Sequence, residues 1–148
     1  MPLGVPEVIS AGDDVTLVTY GSCVRVAQHG IKMLEQAGIS VELIDVQSLL
    51  PFDLEGMIVE SLKKTNRIIV MDEDVPGAAT AYILQKVLEE QKGYQYLDSP
   101  PVTLTAHAHR TPFGSDGDYF SKPNAENVYK KIYTMMHEVY PEDYPMDF

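Results

Sequence analysis

Four stretches of this sequence carry side chains able to do chemistry. In Thr19-Tyr20-Gly21-Ser22-Cys23 a hydroxyl and a thiol follow a glycine at what reads as a strand-to-helix turn. A helix N-terminus there would attract a small anion and could lower a thiol pKa. The stretch lacks both the three glycines of a dinucleotide fingerprint and the lysine of a Walker loop. A tight turn capped by Ser22 beside a packed thiol is the plainer expectation, with a small-anion site at Gly21 as the alternative. Spacing places no base to activate Cys23. Asp72-Glu73-Asp74 clusters three carboxylates, a chemistry suited to a divalent cation or to accepting a phosphoryl group. Phosphoryl acceptance also needs a lysine at the end of a later strand, and that end reads Ala106-His107-Ala108-His109-Arg110 instead. A solvated acidic turn is therefore expected. His107 and His109 alternate, so on a strand they face opposite sides and cannot grip one metal ion without a bend. Polar groups at an interface, with Arg110 paired to a nearby acid, form the quieter reading of that cluster. Gly114-Ser115-Asp116-Gly117-Asp118 has the composition of a flexible turn.

Hydrophobic periodicity supplies the elements that must position these groups. Strands are predicted over 15–19, 41–46, 67–71 and 102–106. Helices are predicted from Ser22 to about Ala37, from a start at Pro51-Phe52-Asp53 through Leu62, from about Gly77 to Gln91, and from about Asn124 to Val139. Asp53 is the expected cap of the second helix, with Leu54, Ile58 and Leu62 as its buried stripe. The alternation of strand and helix predicts a three-layer α/β/α sandwich around a mostly parallel sheet of about five strands. The nearly continuous apolar runs at 41–46 and 67–71 suit strands covered on both faces. Residues 1–13 read as a lead-in whose Pro2, Gly4 and Pro6 break regular structure, 14–140 as the domain, and 141–148 as an acidic tail. With Tyr140, Tyr144 and Phe148 among its acids, the C-terminal stretch suits an interface as well as a solvated tail.

Composition bounds the partners. With 148 residues and 45% apolar content the chain has enough material for one core. Eleven basic against 22 acidic residues leave a net charge of −11, which argues against nucleic acid and anionic membrane surfaces and favours a basic protein partner. One cysteine excludes an intrachain disulfide and a cysteine zinc site. No apolar run approaches the ~20 residues of a membrane span and no signal-peptide pattern is present, so a reducing, cytoplasmic setting is expected (the mitochondrial matrix if the source is eukaryotic).

Several separated stretches, taken in order, resemble the C-terminal domain of the transketolase family, in particular the β-subunit type of the 2-oxo acid dehydrogenase E1 component. They are Gly12-Asp13-Asp14-Val15-Thr16-Leu17-Val18-Thr19-Tyr20-Gly21-Ser22, Val41 to Asp53, Arg67 to Asp74, and Thr111-Pro112-Phe113. The resemblance runs over about residues 5–140. Two departures are Val75-Pro76-Gly77-Ala78-Ala79, with alanine where a further glycine is usual, and a longer tail after Val139. Pro2-Leu3-Gly4-Val5-Pro6 resembles the linker that precedes this domain, so Met1 is expected to be a fragment boundary.

The resemblance implies thiamine diphosphate and magnesium in a parent enzyme but no cofactor, metal or catalytic residue in this chain. The Gly-Asp-Gly diphosphate motif needs a later asparagine on a separate element, and Asn124 and Asn127 follow the Asp-Gly-Asp order here too soon. It implies three partners: an α-type E1 subunit or domain, a second copy of this domain, and the basic subunit-binding domain of E2. Asp98, before the Pro-Pro-Val of the fourth strand, and the terminal residue Phe148 are the implied docking positions. His107, His109 and Arg110 are interface candidates. The substrate of the parent, pyruvate or a branched-chain 2-oxo acid, is left open, with the branched-chain acid preferred.

Overall fold

The computed structural model describes residues 2–108 and 122–146. Its five strands are β1 (Glu7–Ser10), β2 (Val15–Thr19), β3 (Val41–Asp45), β4 (Ile68–Met71) and β5 (Val102–Leu104). They lie in the order β1-β3-β2-β4-β5. β2 is parallel to both β3 and β4, and β4 to β5, while β1 runs antiparallel along β3. The helices are α1 (Cys23–Gln36), α2 (Met57–Thr65), α3 (Ala79–Leu84), continued by a π-helical stretch Gln85–Glu90, and α4 (Ala125–Val139).

Alternation of side chains along each strand divides the core in two. Leu17, Leu43, Ile69 and Met71 pack on one face with Ala27, Ile31 and Leu34 of α1 and with Val128, Ile132 and Met136 of α4. Val18, Ile44, Ile68 and Val70 pack on the other with Ile58 and Leu62 of α2, Ile83 of α3 and Val87. The three-layer architecture and the mostly parallel sheet are those expected. Gly30 is what lets α1 and α4 touch, because a Cβ there would lie 2.7 Å from the Val128 Cβ. An Asn124–Asn127 capping box starts α4.

The leading residues differ from the expectation. They are not free of regular structure: β1 forms between the prolines and Gly12, because the outer edge of β3 offers unpaired backbone groups that a short strand satisfies. Leu54 also departs from its place in the buried stripe. α2 begins at Met57, and Asp53 caps it from across a turn, its carboxylate accepting from the backbone N–H of Met57 and Ile58 at 2.8 and 3.0 Å. Residues 140–146 fold back on α4: the Tyr133 hydroxyl donates to the Pro145 carbonyl at 2.7 Å, and Tyr144 meets the Tyr133 ring edge-on.

Candidate functional site

The connection from β2 runs to β3 on one side, and the next passes from β3 back across β2 to β4 on the other. The carboxyl ends of β2 and β4 therefore flank the topological switch point, where open α/β sheets receive ligands. Tyr20, Ser22 and Cys23 arrive there from β2, and Asp72, Glu73 and Asp74 from β4. The Tyr20 hydroxyl donates to Asp72 Oδ1 at 2.9 Å, and Ser22 Oγ donates to Glu73 Oε2 at 2.9 Å. Thr19 Oγ1 ties the two strands by donating to the Met71 carbonyl.

Two expectations are corrected here and one is met. Ser22 does not cap α1 with its side chain; the nearby carboxylate of Glu73 takes its hydroxyl instead. Asp72 is not solvated: it is buried, and its Oδ2 has no hydrogen-bond partner among the described residues. The packed thiol expected at Cys23 is found: it is buried, and burial, with Glu73 and Asp72 adding to it, pushes its pKa up to about 11. The Tyr20 phenol is likewise pushed above its usual range by burial, then by its bond to Asp72 and that residue's charge. This rim carries negative potential and its hydroxyls are already engaged, a setting unsuited to an anion. Among the described residues no group of three or more His, Cys, Asp or Glu could hold a metal ion.

Asp98 lies at the opposite, amino-terminal rim of the parallel strands. Its Oδ2 accepts from Arg67 Nη2 at 2.9 Å, with the Arg67 side chain 5% exposed and that of Asp98 41%. The same guanidinium donates to the Asp14 carbonyl at 2.9 Å and to the Tyr140 hydroxyl at 3.2 Å, and stands 5.1 Å from the Tyr140 ring centre. One oxygen of Asp98 is thus held by a buried cation while the carboxylate still faces water. Sequence reasoning missed Arg67. The signal was an arginine at the head of an otherwise apolar buried strand, which must find acceptors or leave a charge stranded.

His107 is exposed just past β5, beside an open groove of about 670 Å³ between the β5 segment and α4 that also takes in Lys122, Lys130 and Lys131. His109, Arg110, the Gly114–Asp118 turn and Phe148 lie outside the described residues. Asp98 and His107 occupy different parts of the surface, Asp98 at the amino-terminal rim and His107 past the carboxyl end of β5.

Residues 4–128 match the family described as Transketolase, C-terminal domain. The chain is 34% identical over 128 residues to the pyruvate dehydrogenase E1 component subunit beta of Acholeplasma laidlawii, covering 86% of this chain and 38% of that protein. It is 30% identical over 151 residues to the mitochondrial 2-oxoisovalerate dehydrogenase subunit beta of Chaetomium thermophilum, covering 99% of this chain and 31% of that one. A solved structure titled split gene transketolase, inactive beta4 tetramer, superposes with a TM-score of 0.73 at 25% identity, covering 90% of this chain and 42% of that chain. The chain spans about a third of the length of the curated relatives it matches.

Proposed function

Because the chain belongs to the transketolase C-terminal domain family, we propose that it is the assembly and docking domain of a thiamine-diphosphate-dependent 2-oxo acid dehydrogenase E1 β subunit. The parent reaction on this reading is oxidative decarboxylation of pyruvate or a branched-chain 2-oxo acid, with acyl transfer to the lipoyl group of E2. The observation that carries it is likeness to E1 β subunits sustained along nearly the whole chain rather than at one motif.

The cofactor chemistry belongs to another part of the parent. Thiamine diphosphate brings two phosphates and a magnesium ion, and the switch point would meet them with Asp72, Glu73 and Asp74 and with a Ser22 hydroxyl already given to Glu73. These residues do not fit that group, and no chemical step is assigned to them. The same negative rim counts against a stand-alone anion-binding module. What the chain itself supplies is surface. Asp98 is held in orientation by Arg67 for a basic side chain of the E2 subunit-binding domain, with Phe148 as a second contact. His107, exposed past β5, is offered to an α-type subunit or a second copy, and His109 and Arg110, outside the described residues, are interface candidates by the resemblance alone. The setting on this reading is the bacterial cytosol or the mitochondrial matrix; among the described residues no helix is long and apolar enough to cross a membrane.

Calorimetry tests the division of labour. The isolated chain is expected to take up no thiamine diphosphate with magnesium, and to bind the E2 subunit-binding domain with an affinity that Asp98→Ala lowers about tenfold, the effect of losing one charged contact of roughly 1.4 kcal/mol. Stoichiometric cofactor binding would overturn the reading.

A further inference from the structure

Leu3, Leu50 and Leu54 are 68%, 81% and 69% exposed, although Leu54 stands where an amphipathic helix would have buried it. Leu3 precedes Gly4 in the chain, Leu54 lies against Gly4, and Leu50 precedes the Pro51 that also approaches it. A Cβ on Gly4 would lie 2.8 Å from Leu54 Cγ and Cδ1 and 3.1 Å from Pro51 Cγ, and its φ of +77° is one that glycine adopts without strain. The Leu54 N–H donates to the Gly4 carbonyl at 2.9 Å. The incoming chain and the β3–α2 connection are thereby joined into one surface.

That surface stands on a fixed base. Phe52 is buried, Asp53 caps α2, and Gln91 Nε2 donates to the Asp53 carbonyl at 3.1 Å. The leucines are therefore held outward by an ordered turn. Three leucines so exposed present roughly a few hundred Å² of apolar area, the size at which a patch on a folded protein marks a contact site.

We propose that Leu3, Leu50, Pro51 and Leu54 form the seat for the domain that precedes this one in its relatives. The inference rests on the parentage argued above. The matched family is a C-terminal domain, and the chain accounts for about a third of each curated relative, so most of a relative's length comes before it. Polypeptide joined ahead of Leu3 begins within the patch itself, because each residue advances the chain by at most ~3.6 Å. A domain tethered there meets the leucines at an effective concentration on the order of millimolar. All four residues are apolar, with the exposed Glu55 beside Leu54, so the matching surface on the preceding domain is apolar with a polar or basic group at its edge.

Hydrogen exchange decides it, measured at residues 50–57 in the 148-residue chain and in the longer protein, or two-chain complex, that carries the preceding domain. Exchange there is expected to slow at least tenfold when that domain is present. The double variant Leu50→Ser/Leu54→Ser is expected to bring it back to the rate of the isolated chain, while leaving the thermal midpoint of the isolated chain unchanged. Equal exchange in the two forms, or docking indifferent to the double variant, overturns the seat. So does a dimer of the isolated chain, seen by sedimentation, that the variant abolishes; a second copy would then be the occupant. If the longer protein lacks thiamine-diphosphate-dependent turnover of any 2-oxo acid, the E1 β reading fails, and the exchange measurement still decides the seat.

Discussion

Arg67 is the residue on which the amino-terminal rim is built. It is nearly enclosed, and it gathers an acid from the loop before β5, a carbonyl from the residue before β2 and a hydroxyl from the end of α4. Replacing it removes all of these at once and leaves the Asp14 carbonyl without its guanidinium donor. Arg67→Ala is expected to cost about 2–3 kcal/mol in urea denaturation. Asp98→Ala removes only the partly exposed partner and should cost about 1 kcal/mol or less. At the other rim, an unfolded thiol loses its proton near pH 8.5, whereas the folded Cys23 keeps its proton to about 11. Between those values the native state binds the extra proton, so stability falls as pH rises through that window, and below about pH 8.5 this contribution is constant. The urea midpoint of the native chain should drop across the window, and the drop should be shallower in Cys23→Ala. In the same chain Cys23 is expected to react slowly with thiol reagents at neutral pH until it unfolds.

At the scale of the elements, the contact between α1 and α4 turns on a missing side chain. Alanine at Gly30 would gain helix propensity of roughly 1 kcal/mol, but its Cβ would stand 2.7 Å from Val128. Overpacking of this kind costs about 1–3 kcal/mol, so Gly30→Ala is expected to destabilise on balance. Adding Val128→Ala to Gly30→Ala should return part of the loss, a coupling read from a double-mutant cycle. The strands and four main helical segments were legible as periodic runs, because a core on both faces of the sheet imposes apolar residues at regular spacing. β1 was not. Glu7–Ser10 is four residues long beside two prolines, and it becomes a strand only where the edge of β3 pairs with it. The start of α2 was misplaced for a related reason: Asp53 caps the helix from four residues upstream across a left-handed Gly56, a geometry that composition does not reveal.

For the molecule as a whole, the charge of −11 sets how a partner is met. A basic E2 domain steered by this field should bind more weakly as salt rises. Between about 50 and 500 mM the screening length falls roughly threefold, and the association rate should fall with it, a decline that surface plasmon resonance measures directly. Binding indifferent to salt would indicate an apolar contact in place of the acidic one. The acidic tail is tied to α4 at Tyr144 and Pro145, while Glu142 and Asp143 stay exposed and add to that field.

The alternation of strands and helices, the two-faced sheet and the acidic balance follow from local periodicity and composition, and the family likeness from separated motifs read in order, all of which a linear chain carries in itself. Asp98 was picked out by the family resemblance alone, from its place before a proline-valine strand. Its attachment to Arg67, the burial of Asp72 against Tyr20, and the outward turn of Leu54 depend on residues between 31 and 52 positions apart, or on a helix starting later than its pattern suggests. Those were decided only when the strands stacked in the order β1-β3-β2-β4-β5, because side-chain partners across a parallel sheet are set by register and crossover, which no local window contains.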